Sequence, residues 1–210
     1  MDVGFNMTIK INSVSKEKIS FVLESTPAYA NALRRILKGE IPVMSIEYVD
    51  FEHNNSGMFD EAIAHRLGLI PLTFDQKIFR TKAQCKCKGK GCSQCEVVLV
   101  IDKTGPCTVK AGDMKTTDDS VKPADENIPI AELLENQKLV FEATAQLGYG
   151  KDHAKWQAAV VGYEANAKEN SFTFKIESVC GLTAKQILLT ALDILEEKTE
   201  EFSKQLKEAV

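Results

Sequence analysis

The sequence predicts an α+β protein in which the two chain ends form one discontinuous unit, a sheet with two helices. The middle forms an inserted, mostly-β unit that carries a cysteine-rich loop. Three observations support this: alternating apolar residues near both ends, one clearly delimited helical pattern at each end, and short apolar runs between polar loops in the middle. We expect residues 1–50 and 165–210 to form the first unit and residues 51–164 the second.

A hairpin is predicted at the start of the chain. Apolar residues alternate with polar ones at Phe5, Met7, Ile9 and Ile11 and again over residues 19–23, and the polar residues 16–18 between them suit a turn. Alternation with a period of two indicates a strand with one buried face. We therefore expect both strands to bury their apolar side chains.

The first helix has sequence signals at both of its ends. Thr26 suits the N-cap and Pro27 the first helical position. Gly39 and then Pro42 oppose continuation of the helix. These signals predict a helix over about residues 26–38.

This helix has an apolar stripe and a pair of arginines beside it. Leu33 and Leu37 lie in the stripe, whereas Arg34 and Arg35 leave it toward solvent or a partner. The inserted unit that follows should hold one short helix and several strands. The helix is expected at residues 60–67, the strands at 43–51, 96–102, 128–135 and 139–147, and a long polar loop at 111–127.

The last helix is the longest predicted element. Thr183 and Gln186 have the spacing of a capping box, and apolar residues then recur at helical spacing. A helix over residues 184–207 is about 35 Å long, so we expect its far end to extend beyond its own core and to need a partner helix. The apolar stripe includes Leu188, Leu192, Leu195, Phe202 and Leu206.

Four of the six cysteines, Cys85, Cys87, Cys92 and Cys95, lie in a loop at residues 82–95. Four thiolates close a tetrahedral shell around Zn²⁺ and leave no position for water or substrate, so a zinc site here would be structural. An iron–sulfur cluster uses the same ligands, and a reduced, reactive loop without metal is a third possibility. In a cytosolic chain the crowding of the cysteines indicates a metal site and not a disulfide framework, and structural zinc is the favoured occupant.

The residues around these cysteines fit a metal loop. Nearby ammonium groups favour thiolates, and glycines permit a tight backbone. The lysines are Lys82, Lys86, Lys88 and Lys90, and the glycines are Gly89 and Gly91. The isolated Cys107 and Cys180 are expected to be ordinary buried thiols.

Composition and missing motifs exclude several functions. The 210 residues carry a formal net charge of −4, whereas proteins that bind nucleic acid alone usually have a basic surplus. No apolar run approaches the ~20 residues of a membrane span, and the first residues do not resemble a signal peptide, so a cytoplasmic protein is expected. The three histidines lack metal spacing, and no phosphate-binding glycine motif is present. We expect no catalytic residue in this chain.

Several stretches, in order, resemble the α-type subunits of multisubunit RNA polymerases. Residues 31–37 with 40–42 resemble the first helix of that family, and residues 60–72 resemble its next signature. Residues 148–156 are similar to a loop of the archaeal and eukaryotic members. The cysteine loop resembles the zinc loop of the eukaryotic members and of some archaeal ones. The chain is most similar to the archaeal branch of the family, although it lacks the ferredoxin-like, cysteine-rich domain of many archaeal members.

The resemblance implies a non-catalytic assembly platform within a nucleotidyltransferase complex. The unit formed by the chain ends would be a dimerisation domain whose two helices pack against the equivalent helices of subunit L. The pair would then dock the small zinc subunits N and P and the second-largest subunit. The implied interface residues are Leu33, Arg34, Arg35, Leu37, Leu188, Leu192, Leu195 and Phe202.

Two other functions stay open on the sequence. A zinc-dependent nucleic-acid-binding protein could use the lysine-rich cysteine loop, although the chain as a whole is acidic. A thiol enzyme would need a reactive cysteine beside one of the three histidines.

Overall fold

The computed structural model describes residues 7–166 and 170–209, which form an α+β fold with antiparallel sheets. The helices are α1 (Pro27–Gly39), α2 (Asp60–Gly68) and α3 (Ala184–Ala209). The strands are β1 (Thr8–Val14), β2 (Lys18–Glu24), β3 (Pro42–Asn54), β4 (Glu96–Thr104), β5 (Cys107–Lys110), β6 (Lys115–Thr116), β7 (Pro129–Leu133), β8 (Lys138–Tyr149), β9 (Ala159–Asn166) and β10 (Ser171–Ser178).

The chain divides into two compact units. One comprises Met1–Ile41 with Tyr149–Val210, and the other comprises Pro42–Gly148. The boundaries expected from the sequence, 50/51 and 164/165, fall inside β3 and β9, so neither coincides with the end of an element.

The first unit is a four-stranded antiparallel sheet with strand order β1-β2-β10-β9. α1 packs on β9, α3 packs on β2 and β10, and the two helices contact each other. The rings of Phe21 and Phe174 stack with centroids 5.1 Å apart in this core. β9 has no counterpart among the predicted strands, because its outer half is polar and only Ala159 and Val161 are buried.

The predicted caps of both helices in this unit are confirmed. The Thr26 hydroxyl accepts a hydrogen bond from the Tyr29 backbone N–H at 3.2 Å. At the start of α3, the Gln186 backbone N–H donates to the Thr183 hydroxyl at 3.2 Å, and the Thr183 N–H donates to the Gln186 side chain at 2.9 Å. These bonds satisfy backbone donors that a helix N-terminus leaves without a partner.

The expectation of a buried face on β1 is wrong. The predicted hairpin forms, with β1 antiparallel to β2. All seven residues of β1 are exposed, whereas Ile19, Phe21 and Leu23 of β2 are buried. Phe5, the first position of the predicted alternation, lies outside the described residues. β1 lies at the edge of the sheet, where a strand has a neighbour on one side only. Alternation predicts which side chains share a face, and not whether a helix covers it.

The second unit contains a four-stranded sheet of order β3-β8-β4-β6 and a two-stranded sheet, β5-β7. α2 packs on β3 and β7, and the Ser45 hydroxyl of β3 donates to the Gly68 carbonyl at 2.7 Å, at the end of α2. β5 was not predicted, and β6 lies within the stretch predicted as a long loop.

No helix within residues 7–166 and 170–209 is long and apolar enough to cross a membrane.

Candidate metal centre and interaction surface

The cysteine loop projects from the start of β4, and two contacts close its base. The Arg80 backbone N–H donates to the Gln94 carbonyl at 2.9 Å. The Lys82 ammonium lies 2.5 Å from the Glu96 carboxylate. Arg80 and Lys82 precede the four cysteines in the chain, whereas Gln94 directly precedes the last of them and Glu96 follows it. The two contacts therefore hold the ends of the loop together and restrict the volume that the thiols can occupy.

The four thiols converge on one point. The Sγ atoms of Cys85, Cys87, Cys92 and Cys95 all lie within 4.8 Å of one another. Three of the separations are 3.5, 3.6 and 3.8 Å. Four sulfurs about 2.3 Å from a central ion at tetrahedral angles are about 3.8 Å apart. The donor set therefore fits a single tetrahedral metal ion, and it fits less well a multi-iron cluster, whose thiolates bind different iron atoms.

Left-handed backbone conformations allow this convergence. Lys88, Gly89 and Gly91 have φ values of 55°, 82° and 86°, a region that glycine adopts without steric cost. These turns direct backbone N–H groups at the thiols: the Cys92 N–H, for example, lies 3.3 Å from Cys95 Sγ. Gly89 and Gly91 therefore have the conformational role expected of them.

The thiols differ in acidity. Burial raises the pKa of Cys95 to about 12, although the Cys92 N–H acts in the opposite direction. Burial also acts on Cys87, but hydrogen bonds from Cys85 and Cys95 and from the N–H groups of Gly89 and Gly91 outweigh it and lower the pKa of Cys87 to about 6. A divalent cation would supply the positive charge that the buried Cys95 needs in order to ionise.

The lysines around the loop occupy two kinds of position. The hydrogen bond to Glu96 raises the pKa of Lys82 above its ordinary value, and its ammonium lies 5.4 Å from the ring centroid of Tyr48. Lys86, Lys88 and Lys90 are exposed. Only Lys82 is therefore positioned as a fixed part of the centre.

The two isolated cysteines are half-buried, so the expectation of fully buried thiols is wrong in degree. Burial raises the pKa of Cys180, and its sulfur accepts a hydrogen bond from the Leu182 N–H at 3.5 Å. Such a thiol is a poor nucleophile at neutral pH. His153 accepts a hydrogen bond from the Lys155 N–H at 3.1 Å and contacts the edge of Trp156, which is a local structural role.

The interface residues expected from the sequence divide into buried and exposed groups. Leu33 and Leu37 are only 2% and 0% exposed, and Leu188 is also buried, so these three belong to the core of the first unit. Arg34 and Leu195 are half-buried. Arg35, Leu192 and Phe202 are exposed. Their part in an interface stays a prediction.

The distal half of α3 has little core of its own. The last buried residue of the helix is Ala191. Beyond it, apolar side chains continue at the heptad spacing of a helix seam, and Phe202 is 66% exposed. We call this set the distal seam: Leu192, Leu195, Phe202 and Leu206.

The structure also reveals exposed apolar residues that were not predicted as a surface. Phe59, at the N-cap of α2, is 83% exposed, and Leu69, at its C-cap, is exposed as well. In the first unit, Ile9, Ile11 and Val14 on β1 are exposed. Of these residues, only those of β1 could have been identified from the sequence, because the apolar alternation placed their side chains on one face of the strand.

Comparisons with known proteins agree on one family. Residues 49–164 match the family described as the RNA polymerase Rpb3/RpoA insert domain. The chain is 35% identical over 256 residues to DNA-directed RNA polymerase subunit Rpo3 of Methanosarcina acetivorans, with 93% of this chain and 96% of the relative covered.

Two further relatives bear the same name. The Rpo3 subunit of Methanosarcina mazei is 44% identical over 161 residues, covering 75% of this chain and 60% of the relative. The Rpo3 subunit of Pyrococcus furiosus is 43% identical over 157 residues, covering 74% of this chain and 58% of the relative. The chain spans about three fifths of these two relatives. On the family match and the near-complete coverage of the first relative, the chain belongs to the Rpb3/RpoA family, together with the archaeal Rpo3 proteins.

Proposed function

We propose that this protein is a non-catalytic assembly subunit of a multisubunit DNA-dependent RNA polymerase. The name of its relatives, RNA polymerase subunit Rpo3, supports the polymerase. The observation that carries the assembly role is the distal seam. An amphipathic helix is expected to bury its apolar side chains against another surface, and within the part of the chain that the structure describes no element covers most of the seam.

The first proposed partner is subunit L, through a helix–helix interface. α3 runs for 26 residues and its last fully buried residue is Ala191. The 18 residues beyond it make up about 27 Å of helix, in which Leu195 is half-buried and Phe202 is exposed. Within this part of the helix, Lys198 forms an ion pair with Glu40, next to the end of α1. A rigid helix presented in one direction loses little conformational entropy on binding.

The further partners proposed are subunits N and P and the second-largest subunit. Arg35 is exposed near the C-terminal end of α1, and Arg34, half-buried, lies 3.4 Å from the Asn31 side chain. An exposed guanidinium on a rigid helix suits carboxylates and backbone carbonyls of a docking subunit.

For the metal centre we propose structural zinc. Four thiolates at tetrahedral spacing leave no open coordination position, which suits a structural role. The ion would bind Cys85, Cys87, Cys92 and Cys95 and would fix a loop that has few apolar side chains of its own. An iron–sulfur cluster is the less favoured occupant.

Pairing is tested by coexpressing the full chain with the L subunit of the same polymerase and measuring the mass of the purified species by light scattering. We expect a 1:1 complex, and we expect the chain expressed alone to self-associate. A stable, monodisperse monomer that does not bind L would contradict the proposed function.

Metal identity is tested on the same purified complex by elemental analysis. We expect one zinc per chain. Cys92→Ser should lose the metal, while the matched variant Cys180→Ser, outside the cluster, should keep it. Iron with visible absorption in place of zinc would overturn the assignment of the ion and leave the assembly role untouched.

A further inference from the structure

The Lys82 side chain is contacted from two sides, and the two neighbours lie on different strands of the second unit. Its ammonium lies 2.5 Å from the Glu96 carboxylate. The same ammonium lies over the aromatic ring of Tyr48, 5.4 Å from the ring centroid. A cation within about 6 Å of an aromatic ring is attracted by the electrons of its face. The ammonium therefore has an acidic and an aromatic neighbour.

Tyr48 and Glu96 lie on strands that do not neighbour each other. Tyr48 is in β3, the edge strand of the sheet with order β3-β8-β4-β6, and Glu96 is the first residue of β4. Because β8 runs between them, the two strands are about 10 Å apart at the usual strand spacing. Lys82 has a long side chain that contacts both residues, so it ties the segment before the first cysteine to two separate strands.

The backbone at the root of the Lys82 side chain is held in place. Phe79 and Thr81 are only 1% and 7% exposed, and the Arg80 N–H donates to the Gln94 carbonyl at 2.9 Å. The freedom that remains is that of the flexible four-carbon stem of the lysine. The ring of Tyr48 occupies one side of the space that the ammonium could otherwise explore, and so favours the rotamers that reach Glu96.

The Glu96 carboxylate continues this line of contacts to the thiols. It lies against the backbone of Gly91, where a Cβ would overlap it, and Gly91 directly precedes Cys92. The Glu96 backbone N–H also donates to the Cys92 carbonyl at 2.9 Å. A displaced Glu96 would therefore shift the backbone that carries one of the four thiols.

Tyr48 itself contributes little to the core of the unit, because its side chain is 55% exposed. An exposed aromatic residue on an edge strand is most simply a surface residue. The contact with Lys82 distinguishes it, since the side chain of that lysine is only 32% exposed. A cation–π contact gains strength as the cation loses solvent.

We propose that Tyr48 is a positioning residue of the metal centre. Its ring holds the Lys82 ammonium against Glu96, so that retention of the metal by the cysteine loop depends on a residue of the edge strand β3. The inference rests on the proposed metal site and adds to it a residue that touches none of the thiols. Tyr48 acts on the thiols through Lys82, whereas a residue that merely stabilises the sheet would act independently of that lysine.

The direct test is a double-mutant cycle on zinc release from the full chain in the purified complex. The variants are Tyr48→Leu, Lys82→Met and the combination of the two. Tyr48→Phe is the conservative control, because a phenylalanine ring also attracts a cation. Release to a chelator is followed with a colorimetric zinc indicator.

We expect Tyr48→Leu to release zinc about two- to fivefold faster than the wild type, the change that corresponds to one cation–π contact at a partly exposed site. Tyr48→Phe should release zinc as the wild type does. In the Lys82→Met background, Tyr48→Leu should have no further effect, because the cation that the ring holds is already absent.

Several results would overturn the inference. If Tyr48→Leu releases zinc at the wild-type rate, the ring does not act on the centre. If Tyr48→Phe is as fast as Tyr48→Leu, the hydroxyl is responsible and not the ring. If the two single effects multiply in the double variant, Tyr48 acts independently of Lys82.

A matched control removes an equivalent contact from the first unit. The Lys151 ammonium lies 5.2 Å from the ring centroid of Tyr149, so Tyr149→Leu deletes a ring beneath a lysine far from the cysteines in the chain. We expect it to leave zinc release unchanged. The same acceleration as in Tyr48→Leu would assign the effect to a general loss of stability and would overturn the inference.

The position of the ammonium can also be measured without reference to the metal. Brief acetylation of the complex with acetic anhydride, followed by mass spectrometry of the peptides, gives the reaction rate of each lysine. In the wild type we expect Lys82 to react more slowly than the exposed Lys86. In Tyr48→Leu the rate at Lys82 should rise toward that of Lys86, and an unchanged rate would overturn the inference.

The measurements distinguish this inference from the proposal on which it rests. A chain that holds no metal would contradict the proposed metal centre, and the inference would fall with it. Zinc bound as proposed, with equal release from the wild type and from Tyr48→Leu, would contradict the inference alone and leave the metal centre and the assembly role standing.

Discussion

The Lys82 ammonium and the Glu96 carboxylate form an ion pair of 2.5 Å at the two ends of the cysteine loop. Each side chain is less than one third exposed, so solvent screens the pair less than it screens a surface ion pair. The thiols that lie between these residues in the chain are thus held by a contact that does not itself involve sulfur.

The first prediction concerns this ion pair. Lys82→Met keeps the length of the side chain but removes the charge, and it leaves the Glu96 carboxylate without its partner. We expect a loss of about 1 kcal/mol in loop closure, which corresponds to roughly fivefold faster zinc release to a chelator. Release is followed with a colorimetric zinc indicator. Lys86→Met, at an exposed lysine beside Cys85, is the control, and equal release rates in the two variants would contradict the role of Lys82.

The second prediction separates two glycines of the loop that share a left-handed backbone. Gly89→Ala should cost about 1 kcal/mol, since its new Cβ would meet no atom within 4 Å and only the conformational cost remains. Gly91→Ala should cost clearly more, because its Cβ would overlap the Glu96 carboxylate and displace it from Lys82. Zinc affinities from competition titration measure both. A Gly91→Ala variant no weaker than Gly89→Ala would show that the ion pair tolerates displacement.

The third prediction is a pH dependence of stability in the second unit. The Lys103 ammonium, at 2.6 Å, and then the Lys110 N–H, at 2.8 Å, hold the pKa of the Asp113 carboxyl below its ordinary value. Because the folded state lowers this pKa, the stabilisation is complete above the unfolded pKa and is lost as the pH falls through the folded one.

Asp113→Asn should therefore destabilise the protein by about 1 kcal/mol at pH 7. The difference from the wild type should shrink below about pH 4, where the carboxyl begins to protonate. Urea unfolding at several pH values measures it, with Asp102→Asn, at the more exposed Lys138 pair, as the control. A difference that is the same at pH 7 and pH 3 would contradict this account.

Local signals in the sequence predicted the capped helices and the hairpin, because a cap or a turn depends on residues close together in the chain. Thr26 and Thr183 have their expected bonds. The four cysteines were identifiable because metal ligands of one loop are also close in sequence. The sequence did not predict which apolar side chains other elements of the chain bury. Whether another element packs on Ile9 or on Phe202 depends on contacts between residues that are distant in the sequence.

The same limitation explains why Leu33 and Leu37 of α1 were expected at an interface although they are buried in the core of the first unit. The stripe that includes Leu33 and Leu37 predicts an apolar face, and a face of that kind suits either a core or a partner. In the structure both side chains are buried within their own unit. The strand β9 was missed for a related reason, since most of its residues are exposed and its sequence lacks a strong alternation.

The fourth prediction tests a close backbone approach in the first unit. A Cβ at Gly150 would overlap the Lys38 carbonyl oxygen at the end of α1 and lie 3.2 Å from the Gln157 Cα. Because these are backbone atoms, they cannot move aside by changing a rotamer. Gly150→Ala should therefore destabilise the protein by about 1–3 kcal/mol. Thermal unfolding measures it against Gly162→Ala, where a Cβ meets nothing within 4 Å. Equal melting temperatures would contradict the close approach.

The last prediction concerns the distal seam, and it distinguishes a binding residue from a core residue. Phe202 is largely exposed, so Phe202→Ser should leave the thermal stability of the isolated chain within about 0.5 kcal/mol of wild type. A buried aromatic anchor contributes about 2 kcal/mol or more to an interface, so the affinity for subunit L should fall by at least tenfold.

The matched control is Lys204→Ser, because residue 204 lies about 200° around the helix from residue 202. Isothermal titration of refolded chain with L, or competition between tagged and untagged chains in the coexpressed complex, measures both affinities. If Phe202→Ser lowers stability as much as affinity, the residue acts through the fold. If it lowers neither, α3 meets its partner along another face.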